Sequence, residues 1–401
     1  MCIRDRLTIF GISTGVALVC AVLALRHESE RALSRDAGLY DLVAGGKGSP
    51  LQLVLSSVYH LDSPTGNIPY KEYERIRSDP RVEWAAPVGL GDNYLGYRII
   101  GTEKHFFDLP DREGNLFFEL AEGDVFQDRF DVVLGSQVAQ ASGLKIGDSF
   151  FGTHGLIEVA GAEVHRDFPY RVSGILAPSG TAQDRAIFGT LKSVWEIHET
   201  EDLLHSAIQG SAIMADHKTR ETTAILVRLE TPGLRLWMAD EIREGTDGIA
   251  AIPINEIMRF QQGILGPVQK ILLAIAGVVV AVSCLTVLIT LHQAAERRRR
   301  DIAILRSLGA YRREVATLVF SEGLLLTGGG ILLGLLIGHG GMAIAVDYFR
   351  EATGLILNPW RIPSNELYAL LIMVLSGALA STFPAISSYR RTPIDDLQLS
   401  E

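Results

Sequence analysis

The residues able to do chemistry in this sequence are few and scattered. His60 and Asp62 stand two apart, as do His165 and Asp167, while Glu201, His205 and His217 follow at irregular intervals. A helical zinc hydrolase needs two histidines at i and i+4 with a glutamate beside the first, and none of these groups supplies that pattern. Their spacing predicts histidines that are solvated or satisfied by the backbone, and no metal site. Gly11-Ile-Ser13-Thr-Gly15 matches the G-x-S-x-G of a nucleophile elbow, but it lies inside an apolar run with no strand–turn–helix context. Gly45-Gly46-Lys47-Gly48-Ser49 lacks the spacing of a phosphate-binding loop and reads as a flexible turn before a helix opened by Ser49-Pro50. No catalytic residues are expected, so the chain does not read as an enzyme.

The elements around these residues are dominated by four apolar segments. Leu7–Leu25 and Ile271–Leu291 carry no charge, Val315–Val346 is interrupted only by Glu322 and His339, and a fourth segment spans Leu367–Tyr389. About 20 helical residues cross a bilayer, so each qualifies as a span. Ile271–Leu291 lacks the polar face that a soluble helix of its length keeps. After Leu25, the stretch from Arg26 to Leu33 continues a helix and shows no cleavage site, which speaks against a signal peptide.

Arginines at 297–300, 306, 312 and 313 separate the second and third spans. Arg390 and Arg391 follow the fourth, and Arg4 and Arg6 precede the first. These basic segments belong on the cytoplasmic side, with both termini inside. The stretch 26–267 then lies outside, with 23 basic and 36 acidic residues. The whole chain carries a net charge of −10, which argues against a nucleic-acid partner. Its three cysteines exclude a disulfide-rich scaffold.

The expected fold is therefore an α-helical membrane protein with four transmembrane helices and a large mixed α/β extracytoplasmic domain between helices 1 and 2. The expected divisions are 1–37 (first span and stalk), 38–262 (α/β domain), 263–292 (stalk and second span) and 293–314 (cytoplasmic loop). Beyond these come 315–346 (third span), 347–366 (outer loop), 367–389 (fourth span) and 390–401 (tail). Within the domain, helices are expected from Pro50, over Tyr70–Ser78, over Ser136–Gly143 and near Leu234–Arg243. Strand-like runs occupy Val82–Val88, Arg98–Ile100, Val132–Leu134, Ile157–Ala160, Tyr170–Leu176, Thr223–Leu229 and Ile249–Ile252.

The strongest local pattern is Arg300-Asp301-Ile302-Ala-Ile304-Leu305-Arg306-Ser-Leu308-Gly309. Ile302, Leu305 and Leu308, with Ile304 beside them, make an apolar stripe at helical spacing, and Gly309 supplies the left-handed residue that ends a helix. Such a stripe in a basic loop either lies on anionic lipid or enters a groove on a cytosolic partner. In the third span Gly330, Gly334 and Gly338 fall four apart, and Gly11 and Gly15 repeat the interval in the first, so both pairs of faces allow close helix packing. Glu322 is an acid within the third span, expected at a helix interface or at headgroup level.

Taken in this order, the features resemble the permease subunits of type VII ABC systems, the class of MacB, LolC/LolE and FtsX. The stretch Arg300–Ala310 looks like the family's coupling helix. The span from Glu322-Gly323 to Gly338 and the terminal Tyr389-Arg-Arg-Thr-Pro393-Ile-Asp-Asp-Leu397 look like its closing pattern. Val133-Leu-Gly135-Ser136, Gly143-Leu-Lys-Ile-Gly147-Asp148 and Tyr170-Arg-Val-Ser-Gly174-Ile-Leu176 resemble its periplasmic core module. The resemblance implies a location in the bacterial inner membrane, a separate cytosolic ABC ATPase that binds the ATP, and a second permease copy, identical or different. It also implies contact with membrane lipids, a periplasmic adaptor, lipoprotein or envelope protein as a further partner, and a role in export, lipoprotein release or envelope mechanotransmission. The family's amphipathic helix before the first span is absent, so the N-terminus is expected to be incomplete. The alternative function is a membrane-anchored sensor or regulator of a cell-wall enzyme that works without an ATPase, while a membrane-bound hydrolase has almost no residue support.

Overall fold

The computed structural model describes residues 3–111, 114, 116–155, 164–208, 220–245, 248–297, 302, 304–305, 307–353 and 357–390; the side chains of 3–5, 201–208, 295, 351–353 and 387–390 are excepted. The chain divides into two compact units. One comprises Arg31–Gln262 with Arg350–Ile356, and the other comprises Met1–Glu30, Gly263–Phe349 and Leu357–Glu401.

The α/β unit begins in the last turns of helix α1 (Ile3–Ala37). That end is anchored by backbone-directed hydrogen bonds: Tyr59 Oη donates to Leu33 O, Arg35 to Gly180 O, and Ala182 N–H to Asp36 Oδ2 at 3.0 Å. Four antiparallel strands follow in the spatial order β12 (Gly248–Ala251), β1 (Leu42–Gly46), β11 (Ala224–Leu229) and β3 (Val82–Tyr94). Side chains alternate along them between two apolar clusters. Leu42, Ala44, Ile225 and Val227 face α3 (Tyr70–Arg77) and α6 (Arg235–Gly245), where Ile76, Met238 and Ile242 cover them. Val43 and Leu226 face Leu53 and Val54 of α2 (Pro50–Ser57) and Ile257 of α7 (Pro253–Phe260). Because both faces are covered, β1 and β11 are buried along their full length.

Thirteen residues long, β3 serves two sheets: its first half pairs with β11, and its second half pairs with β4 (Tyr97–Thr102) and with β7 (Ser149–His154). From β4 the pairing continues through β9 (Ala186–Thr190), β6 (Asp131–Leu134) and β8 (Val164–Leu176) to β7, which returns to β3. Six strands thus close into a ring, with β5 (Leu120–Gly123) added on β8 and a separate short pair of β2 (Ile68–Pro69) with β10 (Glu221–Thr222). Ile99, Val132, Leu134, Phe150, Tyr170 and Ile187 form a third apolar cluster here, packed with Val138 of α4 (Ser136–Ser142) and Ile197 of α5 (Leu191–Ile208).

One expectation is corrected. Gly45 and Gly46 do not form a flexible turn; they are the buried end of β1, and a Cβ on Gly46 would lie 2.9 Å from the Gly66 carbonyl carbon. The glycines serve close backbone approach, which leaves no side chain to give a strand pattern. The helix after them does start at Pro50, with Ser49 as its N-cap. The expected strand at Ile157–Ala160 lies outside the described residues.

In the helical unit, α1 is joined by α8 (Gly266–Arg297), α9 (Arg312–Thr353) and α10 (Ser364–Arg390). Among the described residues, four helices are long and apolar enough to cross a membrane. A π turn over Gln261–Leu265 precedes Pro267, whose missing N–H removes a bond back to Gly263 and favours the wider turn. Pro384 sits inside α10.

Candidate functional site

Between α8 and α9, Ile302, Ile304, Leu305 and Ser307 are helical, and Leu308 N–H bonds to Ile304 O at 3.0 Å. Gly309 follows with φ of 105°, and Ala310 N–H bonds back to Leu305 O at 3.1 Å. This left-handed exit turns the chain toward Arg312, where the Glu314 carboxylate accepts the Tyr311 N–H at 2.9 Å and caps α9. Leu308 is 81% exposed, Leu305 53% and Ile304 44%, with Tyr311 exposed beside them and Ile302 half-buried. The short segment therefore offers an apolar surface that its own unit does not cover. Arg300, Asp301 and Arg306 of the same stretch lie outside the described residues, as do the tail residues beyond Arg390.

The glycines sort onto two helix contacts. A Cβ on Gly330 would come within 2.6 Å of Ile12 Cγ2, one on Gly334 within 2.5 Å of Val16 Cβ, and one on Gly338 within 3.0 Å of Ala17 O. On another side of α1, Gly15 faces Val279 and Val280 of α8 at 3.1–3.2 Å, and Gly11 faces Ser283 Oγ at 3.5 Å. So α1 lies between α8 and α9 and is approached closely by both. Glu322 is half-buried on α9, next to Gly323, which packs against Ser381 and Leu291.

Sequence reasoning missed a buried polar cluster in this unit. His339 on α9 meets Glu366 on α10, Nε2 to Oε1 at 2.8 Å, while its Nδ1 reaches Pro359 O at 2.5 Å and Trp360 stacks on the ring. A carbonyl only accepts, so the Nδ1 contact to Pro359 O is one in which the imidazole donates. On α1, Glu28 accepts the Asn358 N–H at 3.0 Å and faces Arg361 at 3.8 Å. Lone His339 and Glu366 carried no motif; only helix packing pairs them across 27 positions.

In the α/β unit, His60 and Asp62 do not form a pair. His60 Nε2 bonds Gln183 Oε1 at 2.9 Å, and Asp62 contributes its carbonyl to Arg98. Burial pushes the His60 imidazole down to about 4, against the Gln183 bond and with the help of the Arg98 charge. His165 likewise turns away from Asp167, to Asp92 on β3 at 3.1 Å. The side chains of Glu201 and His205, and the whole of His217, lie outside the described residues. At Glu103, burial would raise the carboxyl, but hydrogen bonds from His105, Tyr70 and Tyr73 outweigh it and hold the group at about 2. His60, His165 and Glu103 are tied to these partners, and among the described residues of this set no nucleophile–base pair occurs.

Comparison with known proteins places both halves of the chain. The model of the FtsX-like permease C-terminal domain matches residues 273–394, and that of the MacB-like periplasmic core domain matches residues 7–233. An ABC transporter permease of Methanocaldococcus jannaschii is 27% identical, with 98% of this chain and 94% of the relative aligned. The macrolide export ATP-binding/permease protein MacB of Nitrosomonas europaea is 23% identical over 98% of this chain and 56% of its own length. A pyoverdine export ATP-binding/permease protein, PvdT of Pseudomonas putida, is 24% identical over 84% and 50%. The chain thus spans nearly all of the archaeal relative and about half of the two export proteins.

Proposed function

Because the chain belongs to the family of ABC transporter permeases that join a MacB-like periplasmic core domain to an FtsX-like permease C-terminal domain, we propose that it converts ATP hydrolysis elsewhere into movement of its α/β domain. The 401 residues contain no G-x-x-x-x-G-K-[ST] sequence, so the nucleotide is held outside them. In this reading the four helices lie in the inner membrane, with the arginine-rich linker and both ends of the 401 residues cytoplasmic and residues 38–262 on the far side. A second permease copy completes the assembly. The movement serves export, lipoprotein release or force transmission in the envelope.

The observation that carries the reading is the exposed apolar turn Ile304–Leu305–Leu308, set on a short arginine-rich linker between two membrane helices. A leucine exposed on such a linker gains by entering a groove on a partner, and surrounding arginines give that encounter its orientation. The glycine faces of α9 and α1 then serve as the rigid contacts through which a push on the linker reaches α1, whose far end is hydrogen-bonded into the α/β domain. Glu322 sits at the linker end of α9 as an interface hydrogen-bonding residue.

Replacing Leu305 by a photo-crosslinking residue in the producing cell tests this. The expected adduct is a protein that carries a phosphate-binding G-x-x-x-x-G-K-[ST] sequence, and Leu305→Asp should weaken its retention by the detergent-solubilised chain at least about 30-fold, the loss typical of a buried anchor. Adducts to lipid alone, or retention of the ATPase unchanged in Leu305→Asp, overturn the proposal.

A further inference from the structure

At the seam where β7 closes the strand ring onto β3, three donors from three strands converge. Asp92 of β3 pairs directly with His154 of β7, and His165 is the second residue of β8. Asp92 Oδ1 is 3.1 Å from His165 Nε2 and 3.9 Å from His154 Nδ1, and one ligand atom from each of the three residues lies within 4.8 Å of the others. A third imidazole, His198 of α5, stands against His154 with ring centroids 5.5 Å apart. Its Nε2 occupies space over Gly91, where a Cβ would come within 2.6 Å.

We propose that Asp92, His154 and His165 bind a single divalent transition-metal ion of the zinc type. Two imidazoles and a carboxylate are the donor set of such ions, whereas calcium and magnesium take oxygen donors. Metal–ligand bonds of about 2.0–2.2 Å place tetrahedral donors about 3.3 Å apart. The His165–Asp92 separation of 3.1 Å is close to that value. The His154 side chain is 51% exposed, so it can rotate inward and also provides the route of entry.

A second observation points into the same place. The Asp92 side chain is 1% exposed, yet both imidazoles approach Oδ1, and Oδ2 has no hydrogen-bond partner among the described residues. A carboxylate oxygen buried without a partner is costly, and a cation bound between the strands would satisfy it. Beyond satisfying Asp92, the ion would pin β7 and β8 to β3, where among the described residues β3 and β7 pair through Asp92 with His154 and Asn93 with Thr153. The proposal is independent of the coupling role of the Ile304–Leu308 turn.

The test uses the full chain in detergent, stripped with a chelator and titrated with ZnCl2 against a chromogenic zinc indicator. One equivalent should be retained at about 10 µM free zinc or below, and His154→Ala should weaken it at least about 100-fold, since losing a direct ligand costs more than losing an outer partner. Cobalt in place of zinc should give the intense visible absorption of a tetrahedral site. Asp92→Asn and His165→Gln should abolish both signals. If either buried variant fails to fold, His154→Ala decides, because its half-exposed side chain can be removed without opening the core. No retained zinc, or zinc held equally well by His154→Ala, overturns the site and leaves Asp92–His165 as a hydrogen-bonded pair only.

Discussion

The two units of this molecule follow opposite packing rules. In the α/β domain, Leu53, Val54, Ile225 and Phe188 are fully buried. In the helical unit Leu325 is 75% exposed and Ile344 85%, while Ser13, Thr327, His339 and Glu366 are buried. Water drives the first arrangement, because removing apolar area from it stabilises by about 25 cal/mol per Å². Lipid supplies no such drive between helices: its tails are as apolar as leucine. The helices associate instead through close backbone approach and buried hydrogen bonds. A glycine that would be a weak point in a soluble helix is therefore the contact surface here, and a leucine that would be core is the surface offered to the bilayer.

Adding bulk to that contact surface should break the contrast most severely. Gly334→Leu would drive its side chain into Val16 and the Ser13 carbonyl, and backbone there cannot rotate aside. The expected loss is about 3 kcal/mol, at the upper end for overpacking, measured by denaturant unfolding of the chain in mixed micelles. Gly340→Leu, on the same helix with nothing within 4 Å, should stay within about 0.5 kcal/mol. Equal effects at both positions would mean that the α1–α9 approach is not the contact that holds the unit.

What the sequence revealed follows the same divide. The apolar spans were legible because membrane thickness imposes a length on each helix, as were α2 and α3, because Ser49-Pro50 and Pro69 mark helix starts. Strands such as Val132–Leu134 are legible because they are apolar throughout. β1 did not, because it ends in Gly45-Gly46, and β9 with its Phe188-Gly189 was too short to stand out. The chemistry was hidden for a deeper reason. His165 and Asp167 stand two apart on β8, a spacing that alternation puts on one face, yet the His165 ring bonds Asp92, 73 positions away and brought near by the β3–β7 and β7–β8 pairings. Neighbours in space that depend on register leave no local spacing to read. The same holds for His339 and Glu366, brought together by two helices.

Protons provide the next contrast, since buried titratable groups in the α/β domain are held by fixed partners. His60 is kept neutral, with its pKa near 4 against about 6.5 in the unfolded chain. Between those values the unfolded state binds more protons, so stability rises with pH across this window. The contribution is complete above pH 6.5 and is lost as pH falls toward 4, by about 3 kcal/mol in all. His60→Asn keeps a residue type that tolerates the left-handed backbone at φ of 56° and should remove that slope. Comparing the two proteins' unfolding free energies at pH 7 and pH 4 isolates the contribution from carboxylates that titrate lower, Glu103 among them. A wild-type slope that persists in the variant would assign the acid sensitivity elsewhere.

The smallest effect is expected where the contrast is sharpest to the eye. Leu336 on α9 is 64% exposed, a fault if water surrounded it and no fault in lipid. Truncating a buried leucine such as Leu53 costs about 2–5 kcal/mol, through lost transfer and a cavity. Leu336→Ala leaves no cavity and exchanges one lipid contact for another, so unfolding in bilayer-like micelles should shift by less than about 0.5 kcal/mol. A loss of more than about 2 kcal/mol would show that a protein surface covers this face in the assembled state, as a second permease copy would. The same substitution thus reads, at one position, whether α9 meets lipid or protein.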